Sequence, residues 1–124
     1  MIDFENAAFV KLGQVDVSDV ADQLAPLLVQ GEEVYLAFKG ARDYIAFTNK
    51  RVVSVNVQGI SGRKKDFTSL PFSKVVAFSV ETAGSFDRDA ELELWFSSVG
   101  KVTFEFRGTT DVAYLNQLVA HHVL

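Results

Sequence analysis

The sequence has no cysteine and no long apolar run, and these two absences exclude several classes of protein. Without cysteine there is no disulfide framework, thiolate nucleophile or cysteine-ligated zinc site. The apolar runs last only a few residues, whereas a membrane-spanning helix needs about 20. The start of the chain, from Met1 to Glu5, is acidic where a secretory signal needs basic residues. We therefore expect a soluble, cytoplasmic protein.

Strong charge of either sign is also lacking. The net charge at pH 7 is −4, and the first 33 residues hold seven acidic side chains against the single Lys11. Nucleic-acid binding requires a concentrated basic face that displaces counterions from phosphate. The weak charge balance therefore predicts that nucleic acid is not a partner.

What the sequence does contain indicates one mainly β domain. Its 124 residues are 48% hydrophobic and include eleven phenylalanines, enough to bury a core without disulfide or metal staples. From residue 32 onward apolar and polar residues alternate, which is the period of half-buried strands. Glycines and Pro71 separate the runs. We expect seven strands, at about residues 34–38, 45–47, 53–57, 64–70, 76–80, 91–96 and 102–106.

Helical spacing is confined to the two ends of the chain. Residues 17–29 carry apolar side chains three and four apart, with Pro26 expected to kink or end the helix. A shorter helix is expected from Phe4 to Val10. Residues 1–30 are thus predicted to form an N-terminal helical segment that precedes a domain of residues 31–124.

A second amphipathic helix is predicted at residues 110–123, with Thr109 or Thr110 as its cap. Its apolar face carries Leu115, Leu118 and Val119. Short antiparallel strands joined by tight turns and followed by one such helix predict a bent barrel. We expect the helix to plug the open end of that barrel.

Several stretches of the sequence resemble the bacterial pleckstrin-homology family. They are residues 38–52, with a hairpin from Arg42 to Arg51, and residues 78–84, 86–87 and 90–95. The likeness covers about residues 30–124 and implies a seven-stranded pleckstrin-homology barrel capped by the C-terminal helix. It also implies a domain of unassigned biochemical role, in a family where some members assemble through sheet edges into homo-oligomeric rings.

Candidate catalytic groups are few, and we expect no enzyme, cofactor or metal. His121 and His122 are adjacent on the last helix, so their side chains diverge by about 100° and do not readily chelate one ion. An acidic group lacks the spacing of a calcium loop and is interpreted as a solvated face: Glu81, Asp87, Asp89, Glu91 and Glu93. A small-molecule carrier or an enzyme is the weakest alternative, because it needs a hollow barrel.

Positive charge is concentrated in two loops, which form the candidate anion site. The residues are Lys39, Arg42, Arg63, Lys64 and Lys65. The pleckstrin-homology resemblance implies that both loops lie at the open end of the barrel, where eukaryotic relatives hold phosphoinositide headgroups. The hypothesis is weak contact with anionic lipid. The alternative is that these are ordinary solvated loop cations.

Aromatic side chains on the outer sheet face form the candidate interface. Tyr35, Tyr44 and Trp95 are expected to be exposed, beside an edge strand that carries Val102 and Phe104. Packing beneath the N-terminal helices is the competing explanation. The favoured function is a non-enzymatic module that self-associates into a homo-oligomer, such as a ring, or binds another protein. A binder of anionic lipid is the alternative function.

Overall fold

The computed structural model describes residues 1–5, 7–83, 89–108 and 110–124. Within these ranges the chain forms eight strands and two α-helices. The strands are β1 (Ala8–Val15), β2 (Val34–Lys39), β3 (Tyr44–Thr48), β4 (Arg51–Gln58), β5 (Lys64–Pro71), β6 (Val75–Glu81), β7 (Ala90–Phe96) and β8 (Gly100–Phe106). The helices are α1 (Ser18–Leu24) and α2 (Val112–Val123), and short 3₁₀ turns follow α1 and β5.

All eight strands belong to one sheet, in the order β5-β4-β3-β2-β1-β8-β7-β6. The seven predicted strands correspond to β2–β8. Neighbouring strands pair antiparallel except β1 and β8, which run parallel. The inner face encloses a phenylalanine-rich core in which Phe38, Phe47, Phe104 and Phe106 are fully buried.

The prediction of a helix from Phe4 to Val10 is wrong, because strand β1 begins at Ala8. This strand pairs with β8 through Ala8 to Leu12 and with β2 through Gly13 to Val15. The register shifts between Phe9 and Leu12, and Lys11 has a φ of 55°. A bulge of this kind lets two side chains three residues apart both face the core. The resulting spacing imitates a helix.

Helix α2 closes one end of the sheet, as predicted. Leu115, Leu118 and Val119 are buried in the core. The N-terminal cap is Asp111, whose carboxylate accepts a hydrogen bond from the Tyr114 backbone N–H at 3.0 Å. The predicted cap at Thr110 is therefore wrong, and Thr109 lies outside the described residues.

Helix α1 packs on the outer face of the sheet and forms a second, smaller core there. Val20 and Leu24 of the helix are buried against side chains of β2, β3 and β4: Ala37, Tyr44, Ala46, Val53 and Val55. The sheet is thus covered on both faces at this point, which explains why β3 is buried along its whole length.

A buried ion pair ties the segment after α1 to the β3–β4 turn. Arg51 donates to both carboxylate oxygens of Glu32, at 2.8 and 2.9 Å, and Thr48 Oγ1 donates to the same carboxylate at 2.7 Å. The Arg51 guanidinium also donates to the Leu27 carbonyl at 2.7 Å. Burial raises the pKa of Glu32, but these hydrogen bonds outweigh it and lower the pKa below its ordinary value of 4.5.

Candidate functional site

The two predicted cationic loops meet. Arg42, in the β2–β3 loop, donates a hydrogen bond from its guanidinium to the carbonyl of Gly59 in the β4–β5 turn. Lys39, Arg42 and Lys65 line a cleft of about 260 Å³ between these loops, which we call the hairpin cleft. Arg63 and Lys64 are exposed but are not among its lining residues.

A larger cleft lies on the other side of the β2–β3 loop. Its volume is about 400 Å³, and its walls are residues 8–13 of β1, residues 39–43 and Arg107. We call it the β1 cleft. It brings Lys11 and Arg107 together with the predicted Lys39 and Arg42. Sequence reasoning missed the first two because they meet only through the pairing of β1 with β8.

The tip of the β4–β5 hairpin is apolar as well as basic. Ile60 is fully exposed there, three residues before Arg63 and four before Lys64. An isolated exposed apolar residue is common on protein surfaces. At this hairpin tip, Ile60 places an exposed apolar side chain close in sequence to two positive charges.

Two of the predicted interface aromatics are exposed. Trp95 on β7 is 43% exposed, and the Lys101 ammonium lies 5.1 Å from its ring centre. Tyr35 on β2 is 37% exposed and stacks on His122 with ring centres 6.2 Å apart. Trp95 and Tyr35 lie on different strands, β7 and β2.

The other three interface residues do not have the expected exposure. Tyr44 is buried beneath α1, where its hydroxyl donates to Gln23 Oε1 at 2.6 Å and burial raises its pKa. Val102 and Phe104 are fully buried, and β8 lies between β1 and β7 rather than at an edge. The expectation of an exposed β8 edge was wrong because β1 occupies that edge.

The two edges of the sheet are instead β5 and β6, each of which pairs on one side only within the described residues. Along β5 the exposed residues are Lys64, Lys65, Phe67, Ser69 and Pro71, and along β6 they are Val76, Ala77, Ser79 and Glu81. Sequence alternation identifies both strands but carries no information about their order in the sheet. These edges are the structural feature most suited to a contact with another chain.

The candidate catalytic and metal groups do not converge. Within the described residues no three histidine, aspartate or glutamate side chains form a metal-binding group. Glu93 pairs with Lys101 at 3.6 Å, and Asp87 lies outside the described part. His122 stacks on Phe72 as well as Tyr35, and burial together with the neighbouring His121 lowers its pKa below the ordinary value of 6.5.

Two known proteins are similar to this chain over most of its length. The uncharacterised protein YjqA of Bacillus subtilis is 51% identical over 78 residues, which cover 63% of this chain and 62% of YjqA. The uncharacterised protein YozO of the same organism is 33% identical over 109 residues, covering 88% of this chain and 94% of YozO. In the described part no helix has the length and apolarity to cross a membrane.

Solved structures and a family model agree on the fold. A protein with a pleckstrin-homology domain from Shewanella loihica matches with a TM-score of 0.81 and 35% identity, covering 94% of this chain and all of that one. A pleckstrin-homology domain from Shewanella amazonensis matches with a TM-score of 0.67 and 40% identity over 89% of this chain and 90% of its own. The model of the bacterial PH domain matches residues 3–123, including the N-terminal segment that the sequence resemblance left out. The chain therefore belongs to the bacterial PH domain family.

Proposed function

We propose that this domain is a non-enzymatic binding and assembly module that self-associates head to tail through β5 of one copy and β6 of the next. The observation that carries the proposal is that β5 and β6, the end strands of one sheet, each pair with one neighbour only in the described part of the chain. Open edges present unpaired backbone donors and acceptors, and isolated domains usually protect them. Pro71, the last residue of β5, has no backbone N–H to offer a partner strand.

The side chains of the two edges suit antiparallel pairing. If Lys65 lies opposite Glu81, then Phe67 lies opposite Ser79 and Ser69 opposite Ala77, and every pair joins two exposed positions. A register of this kind keeps the buried faces of both strands on the same side. The basic start of β5 thereby meets the acidic end of β6.

A lysine beside the acidic end of β6 would reduce an electrostatic repulsion there. Glu81 lies opposite Glu91 in the β6–β7 register, and like charges in directly opposed positions are unfavourable. A lysine from the next copy would relieve that repulsion. Trp95, opposite Ala77, adds an exposed apolar surface beside the same edge. A contact between two different edges is head to tail, and its repetition closes into a ring if the rotation between copies allows.

Charge reversal at the two edges tests this contact. Lys65→Glu and Glu81→Lys should each weaken self-association about fivefold, since each replaces an attraction of up to about 1 kcal/mol with a repulsion. An equimolar mixture of the two variants restores opposite charges at both contacts of an alternating assembly. We expect the mixture to associate more strongly than either variant alone in sedimentation-velocity runs.

The matched control reverses two exposed charges on β2 and on the first turn of α1, Lys39→Glu and Asp19→Lys, and should leave association unchanged. If the mixture is no larger than its components while the wild type associates, the β5–β6 contact is wrong. A wild type that stays monomeric contradicts self-association itself.

A second candidate function is contact with an anionic membrane surface. The observation that favours it is the fully exposed Ile60 at a hairpin tip that also carries Arg63 and Lys64. Basic residues near an anionic surface contribute about 1 kcal/mol each, and an apolar side chain adds the free energy of its burial.

Liposome sedimentation at low salt tests this candidate. Vesicles of phosphatidylcholine and phosphatidylglycerol should retain the wild type and lose Ile60→Glu, whereas Val99→Glu, at an exposed valine on a different turn, should behave as the wild type. Equal retention of the Ile60 variant, or no retention of the wild type, would rule out the hairpin tip as a membrane contact.

A further inference from the structure

We propose that an apolar pocket at the end of β5 is a binding site for a small aliphatic carboxylate. The pocket has a volume of about 300 Å³ and lies between the end of β5, the turn that follows it, the β7–β8 turn and the N-terminal segment. We call it the β5 pocket. Among the described residues that line it, five are apolar, two carry hydroxyls and one, Lys74, is charged. This lining fits a ligand with an apolar body and one negative charge.

The β5 pocket lies where strand pairing does not close the barrel. Strands β5 and β6 are the two ends of the sheet, and each pairs with one strand within the described residues. Apolar side chains of the core therefore reach the surface beside the end of β5. Leu70 and Phe96 belong to the core, are 2% and 9% exposed, and line the pocket. Its most buried part is thus apolar and continuous with the core.

The N-terminal segment supplies one wall of the pocket through Phe4. The Ile2 backbone N–H donates to Thr68 Oγ1 at 3.2 Å, and the Phe4 side chain packs against the core. Gly100 lets this segment approach the β7–β8 turn, because its φ is 129° and a Cβ there would lie 3.3 Å from the Phe4 carbonyl oxygen. These contacts hold the wall in place, and a preformed cavity is typical of small-molecule sites.

The polar groups of the lining determine the sign of the charge that the pocket accepts. Lys74 is exposed and forms no ion pair of 4.0 Å or less with an acidic side chain in the described part of the chain. The Ser69 hydroxyl oxygen accepts a hydrogen bond from Arg51 at 2.8 Å, which leaves its O–H as a donor. An ammonium and a hydroxyl donor suit a carboxylate, whereas a protonated amine would be repelled.

The size and lining of the pocket indicate a short aliphatic chain as the apolar body of the ligand. A volume of about 300 Å³ is at the lower end of the range of small-molecule sites. Each methylene group that leaves water for apolar walls strengthens binding about fourfold. The chain therefore provides most of the affinity, and the single ammonium of Lys74 matches a single carboxylate.

Calorimetric titration of the full chain with sodium octanoate tests the proposal. Octanoate should bind about tenfold or more tightly than acetate, which lacks the chain, and than octylammonium, which has the opposite charge. Lys74→Gln should weaken octanoate binding by about fivefold to tenfold, because a charge-assisted contact is lost. The matched control is Lys50→Gln, at an exposed lysine outside the lining, and it should change binding less than about twofold.

Two further variants complete the test. Val99→Asp puts a negative charge at an exposed position of the wall and should weaken octanoate binding by about tenfold or more. Lys65→Glu, which is expected to weaken self-association, lies outside the lining and should leave octanoate binding unchanged, so that the two proposals are tested separately. Thermal unfolding checks that every variant folds. Absence of octanoate binding, equal binding of octylammonium, or equal losses in Lys74→Gln and Lys50→Gln would overturn the proposal.

Discussion

At the scale of single residues, the most constrained group is the Glu32 carboxylate. Its side chain is fully buried, whereas that of its partner Arg51 is 19% exposed. Breaking a buried pair leaves an uncompensated charge, at a cost of about 3–5 kcal/mol. Because Thr48 and the Val29 backbone N–H also donate to this carboxylate, it connects the segment before β2 to the β3–β4 turn.

Replacing Glu32 with alanine should therefore lower the free energy of unfolding by about 3 kcal/mol or more. Urea denaturation monitored by the fluorescence of Trp95 measures the change. The control is Glu33→Ala, which removes the adjacent but exposed carboxylate and should cost less than about 0.5 kcal/mol. Similar losses in the two variants would contradict the importance of the buried pair.

The same carboxylate gives stability an acid dependence. Its pKa in the folded chain is below the ordinary value of 4.5, so the unfolded chain takes up the proton first as the pH falls. The contribution of Glu32 is fully present above pH 4.5 and is lost as the pH falls through the folded pKa. Unfolding free energies from pH 6 down to pH 3 should fall less steeply in Glu32→Ala than in the wild type, and parallel curves would contradict this assignment.

At the scale of elements, α2 is the plug of the barrel, and Leu118 is one of its buried contacts with the core. Leu118→Ala should cost about 2–5 kcal/mol through lost burial and the cavity left behind. Gln117→Ala, at an exposed position of the same helix, should be close to neutral. The two variants are compared by urea denaturation, and equal stability would mean that α2 contributes little to the core.

The elements themselves were largely predictable. Strands β2–β8 follow the alternation of apolar and polar residues, and α2 follows the helical spacing after Gly108, because each pattern reports burial locally. Strand β1 was missed because a bulge at Lys11 disturbs its alternation. An alternation of apolar and polar residues predicts a strand only where the strand is regular, so it does not reveal a strand that contains a bulge.

The candidate sites were less predictable because they depend on tertiary contacts. Tyr44 alternates like an exposed residue, but α1 covers the outer face of β3. The identity of the edge strands depends on where β1 inserts between β2 and β8. The cations of the two loops were recognised from composition, whereas Lys11 and Arg107 meet only when distant parts of the chain pair.

At the scale of the whole molecule, β5 and β6 each have one strand neighbour within the described residues, while both faces of the sheet are covered around β3. The faces are used by the protein's own core and by α1. The β5 and β6 edges carry the exposed Phe67 and Val76, and the exposed Trp95 lies on β7, next to β6. Growth through these edges is the form of association that we propose.

Solution mass tests this account most directly. Light scattering over a dilution series should give a mass several times the 13.7 kDa of one chain, falling as the protein is diluted. Trp95→Glu should shift dissociation to higher concentration, because it introduces a charge beside the β6 edge. A wild type that remains at 13.7 kDa up to high micromolar concentration would contradict the central claim.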